Sequence, residues 1–125
     1  MKVKLNFLLG QPTVNGRFYE PTMLKEQIDN LIKVNGCILV GPDSKQINEA
    51  DGSVAEEVIV GSVKEYEILE TGEVIFEVEG MTDQTEAYIS KNPGVIKLSI
   101  FGFGNMDENK VVRDFTLTSL FMTMD

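Results

Sequence analysis

The sequence predicts an α+β fold, an antiparallel or mixed β-sheet or barrel with one main helix and one short helix packed outside. Three observations lead there. Several segments alternate apolar and polar residues with the period of two that marks half-buried strands, Leu24, Ile28, Leu31 and Ile32 recur at helical spacing, and a short capped segment ends before Pro93. The order of strand, helix, several strands, short helix and final strand pair suggests an antiparallel or mixed sheet, or a barrel, with the helices packed outside.

Each element has its local reason. Val3, Leu5, Phe7 and Leu9 fall on one side of a first strand, with Lys2, Lys4 and Asn6 on the other. Asn15-Gly16 is a turn dipeptide, and Pro21 suits the first turn of a helix. The stripe Leu24 to Ile32 gives that helix one apolar face, and Asn35-Gly36 ends it. Cys37 to Val40 reads as a short buried strand, and the polar stretch Gly41 to Ser53 reads as a long loop. Val54 to Ile68 resumes an extended pattern. Thr71-Gly72 then turns the chain into a strand on which Val74, Phe76 and Val78 share a face, so a hairpin is expected. Asp83 with Glu86 caps a short helix that ends at Asn92, with Ala87, Tyr88 and Ile89 on its apolar side. Val95 to Phe103 and Val111 to Thr123 form the last strand pair, joined by a turn over Gly104 to Asn109.

Composition narrows the function classes. At 125 residues the chain has the size of a single domain, residues 1–125, with no internal repeat or linker. Its formal net charge of -9 opposes contact with a phosphate backbone, so nucleic-acid binding is not expected, and the acidic residues between Glu49 and Glu79 read as a solvated face. No apolar run is long enough for a membrane helix, and the start resembles a strand more than a signal peptide. The lone Cys37, inside an apolar run, is expected to be a reduced, buried thiol.

The chain contains no histidine, which excludes the Ser-His-Asp triad, the Cys-His pair and His-based metal sites. Gly102-Phe103-Gly104 lies in a strand pattern and lacks the helix and lysine of a phosphate loop. Asp43, Asn48, Glu49 and Asp51 match no EF-hand spacing and read as a solvated loop. No cofactor and no metal are therefore expected. Ser99 stands out because a hydroxyl among apolar residues precedes two glycines, although the favoured reading of the residue by itself is a strand serine bonded to backbone.

Asn15-Gly16-Arg17-Phe18-Tyr19-Glu20-Pro21, followed by a helix, resembles the Asn-Gly-Arg-x-Tyr-Pro opening of the prohead (capsid maturation) proteases of tailed phages. Gly94-Val95-Ile96-Lys97-Leu98-Ser99-Ile100-Phe101-Gly102-Phe103-Gly104 resembles their Gly-Val-Ser-Ser-Arg-Gly-x-Gly block, and Val112 to Leu117 resembles the strand after it. The likeness spans about residues 5 to 123. It implies a herpesvirus-protease-like fold and a serine protease of head maturation that uses a serine and a histidine. This chain departs from that pattern where the chemistry lies. Ser44 or a neighbour stands where the family has its histidine, Ser62 falls near a second histidine position, Phe101 replaces an arginine, and Met122 falls near an acidic position. Ser99 aligns with the first of two family serines and Ile100 with the second. A serine without a base is a weak nucleophile.

The resemblance thus implies a pseudo-protease with Ser99 as a vestigial nucleophile. Its expected role is that of a phage head protein that decorates or cements the capsid or assists assembly, in the virion or in the host cytoplasm during assembly. Its expected partners are the major capsid protein or other head proteins, with homo-oligomerisation left open. Contacts are expected from the loop residues Asp43, Ser44, Lys45, Gln46, Asn48 and Glu49, and from strand addition at the edge of the last strand. Two alternatives stand beside this reading. One is a regulator or inhibitor of the active protease, and the other is a residual hydrolase in which Lys97, on the same strand face as Ser99, acts as base.

Overall fold

A computed structural model of the chain describes residues 1–35, 37–40, 48, 50, 51, 53, 59–81, 83–91 and 96–124. The elements are β1 (Lys2–Lys4), β2 (Phe18–Tyr19), α1 (Pro21–Asn35), β3 (Cys37–Val40), β4 (Ile59–Ile68), β5 (Val74–Glu79), α2 (Asp83–Lys91), β6 (Ile96–Met106) and β7 (Val111–Met124).

The strands hydrogen-bond in the order β1-β5-β4-β3-β7, and β6 pairs with the other edge of β7. Leu5 and Leu98 then form a parallel bridge in which the Asn6 N–H donates to the Leu98 carbonyl at 2.8 Å. That contact joins β1 to β6 and closes the sheet into a six-stranded barrel, with antiparallel pairs except at β3·β7 and β1·β6. The expected α+β class with a mixed sheet is what forms. Inside it Val3, Leu5, Val63, Val74, Phe76, Val78, Ile96, Leu98, Leu120 and Met122 are buried. Burying one such side chain is worth about 1.5–3 kcal/mol. The exposed ion pairs Lys4–Glu73 (3.0 Å) and Lys64–Glu79 (3.7 Å) add about 0–1 kcal/mol each, so the core holds the barrel together.

The first strand is shorter than its alternation suggests. Only Lys2–Lys4 form ladder pairs with β5: the Leu5 N–H still donates to Val74 of that strand, and the chain then changes partner, the Asn6 N–H donating to Leu98 of β6 and the Leu9 N–H to Gly72 in the β4–β5 turn. Phe7 and Leu9 still pack on the core, so the period of two survives the loss of the ladder.

Helix α1 links β2 to β3, which lie at opposite ends of one edge of β7, β2 at Val111–Val112 and β3 at Leu120–Phe121. Between them the Leu117 N–H donates to Oε1 of Gln27 at 3.2 Å, so α1 satisfies part of the strand edge that no strand covers. Leu24 and Ile28 are buried and Leu31 and Ile32 pack around them, as the stripe predicts. Glu20 begins the helix by accepting the Met23 N–H (2.8 Å) and the Thr22 N–H (3.1 Å) on its two carboxylate oxygens. Those bonds hold its carboxyl below the ordinary range. Across the helix, the Tyr66 hydroxyl donates to Asp29 at 2.6 Å, and burial first, then Asp29, pushes this phenol up.

Two expectations are corrected here. The last hairpin turns at Asp107–Lys110 instead of Gly104–Asn109, because β6 runs on to Met106 through register shifts at Phe101/Gly102 and Phe103/Asn105. Glycines at such bulges lengthen a strand rather than end it. The second is on α2, where Ile89 is buried but Ala87, two residues away and so on another face of the helix, is exposed. The side chains of Cys37 and Tyr88 lie outside the described residues.

Candidate functional site

Ser99 sits on β6 opposite Phe121 of β7, one residue beyond the Leu5–Leu98 bridge. Leu98 and Met122, the next pair along the ladder, face the core, so Ser99 and Phe121 face outward. Just past the bridge the first segment leaves β6, and the space it opens is a cavity of about 110 Å³ lined by Asn6, Phe7, Thr13, Val14, Asn15, Arg17, Tyr19, Ser99 and Ile100. The structure therefore brings the Asn15-Gly16-Arg17 turn and Ser99, more than eighty residues apart in the chain, to one wall-to-wall site.

The turn is rigid for local reasons. The Thr13 N–H donates to the Arg17 carbonyl (2.8 Å), the Gly16 N–H to the Thr13 carbonyl (2.9 Å), and the Arg17 N–H to Oγ1 of Thr13 (3.2 Å). Gly16 has φ of 80°, which a side chain would strain. The Lys110 Nζ reaches the Asn15 carbonyl at 3.5 Å, and the Phe18 N–H donates to the Lys110 carbonyl at 2.9 Å, tying the turn to the tip of the β6–β7 hairpin. That tip is held in turn by Asp107, whose Oδ1 accepts the Asn109 N–H (2.8 Å) and the Val111 N–H (3.0 Å) while Oδ2 lies 3.4 Å from Arg113. The Val111 bond foremost keeps the Asp107 carboxyl below its usual range.

Aromatic rings floor the site: Phe7 and Tyr19 lie 5.9 Å apart, and Tyr19 meets Phe115 edge-on at 5.0 Å. On the far side of Arg17 and Tyr19 a second cavity of about 230 Å³ is lined by Gly102, Gly104, Met106, Val112 and Phe115. Val14, which lines the first, and Met106, which lines the second, are exposed. The first cavity offers the Arg17 guanidinium, the Ser99 hydroxyl and the Asn6 amide, whose buried Oδ1 has no partner among the described residues. Arg17 offers hydrogen-bond donors only, and no carboxylate lines the cavity among the described residues. Such a set can hold a polar or anionic group by hydrogen bonds, and it lacks a group to deprotonate Ser99.

The other site residues expected from sequence fall elsewhere. Lys97 shares the outward face of Ser99 but lines a different cavity, with Ile89, Ser90 and the segment Met1 to Lys4, so the strand geometry does not bring it to the serine's site. Met122 is buried in the core across from Leu98, and the residue facing Ser99 is Phe121, with Val40 of β3 next in the row. Ser62 pairs with Ile38 and Glu79, one strand beyond β3. Phe101 is half-buried and meets Phe103 edge-on at 5.7 Å. Asn48 is exposed and spends its Oδ1 on the Ala50 N–H at 2.9 Å, while Asp43, Ser44, Lys45, Gln46 and Glu49 lie outside the described residues. The free edge expected of the last strand is not there, because β7 pairs with β6 on one side and with β2 and β3 on the other. Asn6 and Phe7 were not legible as site residues. The one hint is that Asn6 interrupts an otherwise apolar start.

No protein-family model matches the sequence, and a search of curated proteins finds no match. Among solved structures the fold is similar to that of the bacteriophage T4 capsid assembly protease, with a TM-score of 0.71 at 13% identity over 99% of this chain and 82% of that one. The chain has a prohead-protease-like fold.

Proposed function

We propose that this chain is a non-catalytic phage head protein built on a prohead-protease scaffold, which binds the capsid as a decoration, cement or assembly protein. The observation that carries the reading is the environment of Ser99. On a fold similar to that of a capsid assembly protease, the serine on β6 faces Phe121 across the ladder and shares its cavity with an arginine, an amide and aromatic rings, in a chain without histidine. A site of this kind favours holding over cutting, since losing a triad member leaves only about 10³–10⁴ of catalysis over water. The same fold likeness supports work at the phage head or in the host cytoplasm during assembly. Partner contact would use the surface around Arg17, where Val14 and Met106 are exposed.

Quantitative mass spectrometry of purified mature particles tests this. The intact chain should be present at a ratio near that of the major capsid protein, or at a fixed fraction of it. Absence from both particles and proheads would instead favour a regulator of the active protease. Purified chain incubated with capsid and scaffold proteins should leave them uncut, and a serine-reactive phosphonate should not label Ser99. Cleavage lost in Ser99→Ala would sink the reading.

A further inference from the structure

Arg17 is shared by two cavities of different character. The smaller, of about 110 Å³, carries the polar groups of Asn6, Thr13, Asn15 and Ser99. The larger, of about 230 Å³, is walled by Tyr19, Met106, Val112 and Phe115 beside the backbone of Gly102 and Gly104, and no acidic side chain lines either cavity among the described residues. Arg17 is exposed and has no carboxylate partner among the described residues, whereas Lys4, Lys64 and Arg113 meet Glu73, Glu79 and Asp107 at 3.0, 3.7 and 3.4 Å. The acids close to it in the fold are engaged elsewhere. Glu20 spends its two oxygens on the Thr22 and Met23 N–H groups, and Asp107 is taken by Asn109, Val111 and Arg113. In a chain of 20 acidic and 11 basic residues, this guanidinium stands uncompensated on a turn whose backbone bonds hold it in place.

We propose that this site holds the carboxy-terminal residue of a partner protein, with its free carboxylate on the Arg17 guanidinium and a large apolar side chain in the 230 Å³ cavity. The inference rests on the reading that partner contact uses the surface around Arg17, and it names the chemistry of that contact. A guanidinium presents its donors as a planar fork that matches the two oxygens of a carboxylate. The Ser99 hydroxyl and the Asn15 amide, in the adjoining polar cavity, add donors for the same group. An inorganic anion would satisfy Arg17 and leave the apolar wall of Met106, Val112 and Phe115 uncovered. A chain end carries carboxylate and side chain on one Cα, which suits a single arginine shared by two neighbouring cavities. An internal Asp or Glu supplies the carboxylate only and must reach the apolar cavity with another residue.

Fluorescence anisotropy with the full chain tests it, using an amino-terminally labelled peptide of alternating Gly and Ser that ends in Phe with a free carboxyl, the same peptide amidated, and a free acid ending in Gly. The Phe-ended acid should bind, with affinity falling as salt rises. Amidation and Arg17→Gln should each weaken that binding about tenfold or more. The Gly-ended acid should bind less well than the Phe-ended one, as should the Phe-ended acid to Met106→Asp, a change at a half-exposed rim position. Lys64→Gln, on β4, should bind as the parent does. Failure of the Phe-ended acid to bind overturns the proposal. Equal binding of acid and amide, with both weakened by Arg17→Gln, overturns the terminal-carboxylate assignment and leaves Arg17 as a partner contact. Undiminished binding by Arg17→Gln, together with incorporation of that variant into particles at the parent's ratio, removes the contact surface as well.

Discussion

Hairpin β4–β5 pairs with one irregularity, between Val63 and Glu65, whereas hairpin β6–β7 departs from register twice and carries Asp114 with φ of 52° inside a strand. The first turns tightly through Leu69 to Glu73, with Gly72 at φ of 93°, and sends Val74, Phe76 and Val78 inward. Its outer face is acidic to the point of setting Glu65 opposite Glu77, a clash eased by the Met1 amino group 3.2 Å from Glu77. The second hairpin projects Phe103 and Met106 into solvent and packs Gly102 and Gly104 against Phe115 and Val112. Both hairpins supply core, and the first keeps the more regular pairing beneath an acidic outer face. The other gives up regular pairing to present a serine, two cavities and apolar side chains, and bulges are the device by which a strand re-aims its side chains.

The sharpest way to break this contrast is to truncate an aromatic in each hairpin. Phe76→Ala should cost about 3–5 kcal/mol in urea unfolding, because the ring is fully buried, while Phe103→Ala, 38% exposed, should stay within about 0.5 kcal/mol. A large effect at Phe103 would mean that this ring is packed against the core after all. Next in size is Gly102→Ala. An added Cβ would lie 2.2 Å from the Thr116 carbonyl oxygen and 2.7 Å from Cζ of Phe115, so backbone must move, at about 1–3 kcal/mol. The matching Gly61→Ala in β4 meets the flexible end of Met81 at 2.9 Å and the Glu79 carbonyl at 3.0 Å, and should cost less. Chemical denaturation of the two variants side by side ranks them.

Tyr66→Phe removes the hydroxyl that reaches Asp29 and should cost about 1 kcal/mol at neutral pH. Because the folded phenol is raised, its contribution is complete below its unfolded value near pH 10 and is lost as pH climbs toward the folded value, so variant and parent melting points should converge in strong alkali. The smallest effect belongs to the tip of β6–β7. Asp107 is depressed in the folded chain, so its contribution is present above the ordinary carboxylate range, near pH 4, and fades as pH falls through the folded value. Asp107→Asn should lower the melting midpoint at neutral pH and leave it little changed in acid. A constant difference across pH would show that the turn does not depend on the carboxylate charge.

The two hairpins also differ in how readable they are. The alternation of Val74, Phe76 and Val78 and the Thr71-Gly72 turn announce the first without help. In the second, Gly104 and Asn105 look like a turn, and only pairing with Arg113 and Val112 shows that the strand continues to Met106. The same limit applies to the site. Ser99 and the Asn15-Gly16-Arg17 turn are each legible as unusual, but Asn6 and Phe7 join them through the change of partner at Leu5, a long-range event without a local signal. Lys97 shows the converse. Its spacing from Ser99 is read correctly from the strand period, while the cavity it lines is set by β1 and α2.

Short-range order was therefore decided by the sequence itself: the periods of two and near four, the turn dipeptides, the acidic balance, and the want of any histidine. These depend on neighbours within a few residues and on counts. Which edges are covered, which face of β6 opens onto Arg17, and that Lys4 comes to rest beside Lys97 were decided by the closing of the barrel. A strand's period says what each face is made of, and only its pairing partner says where that face lies.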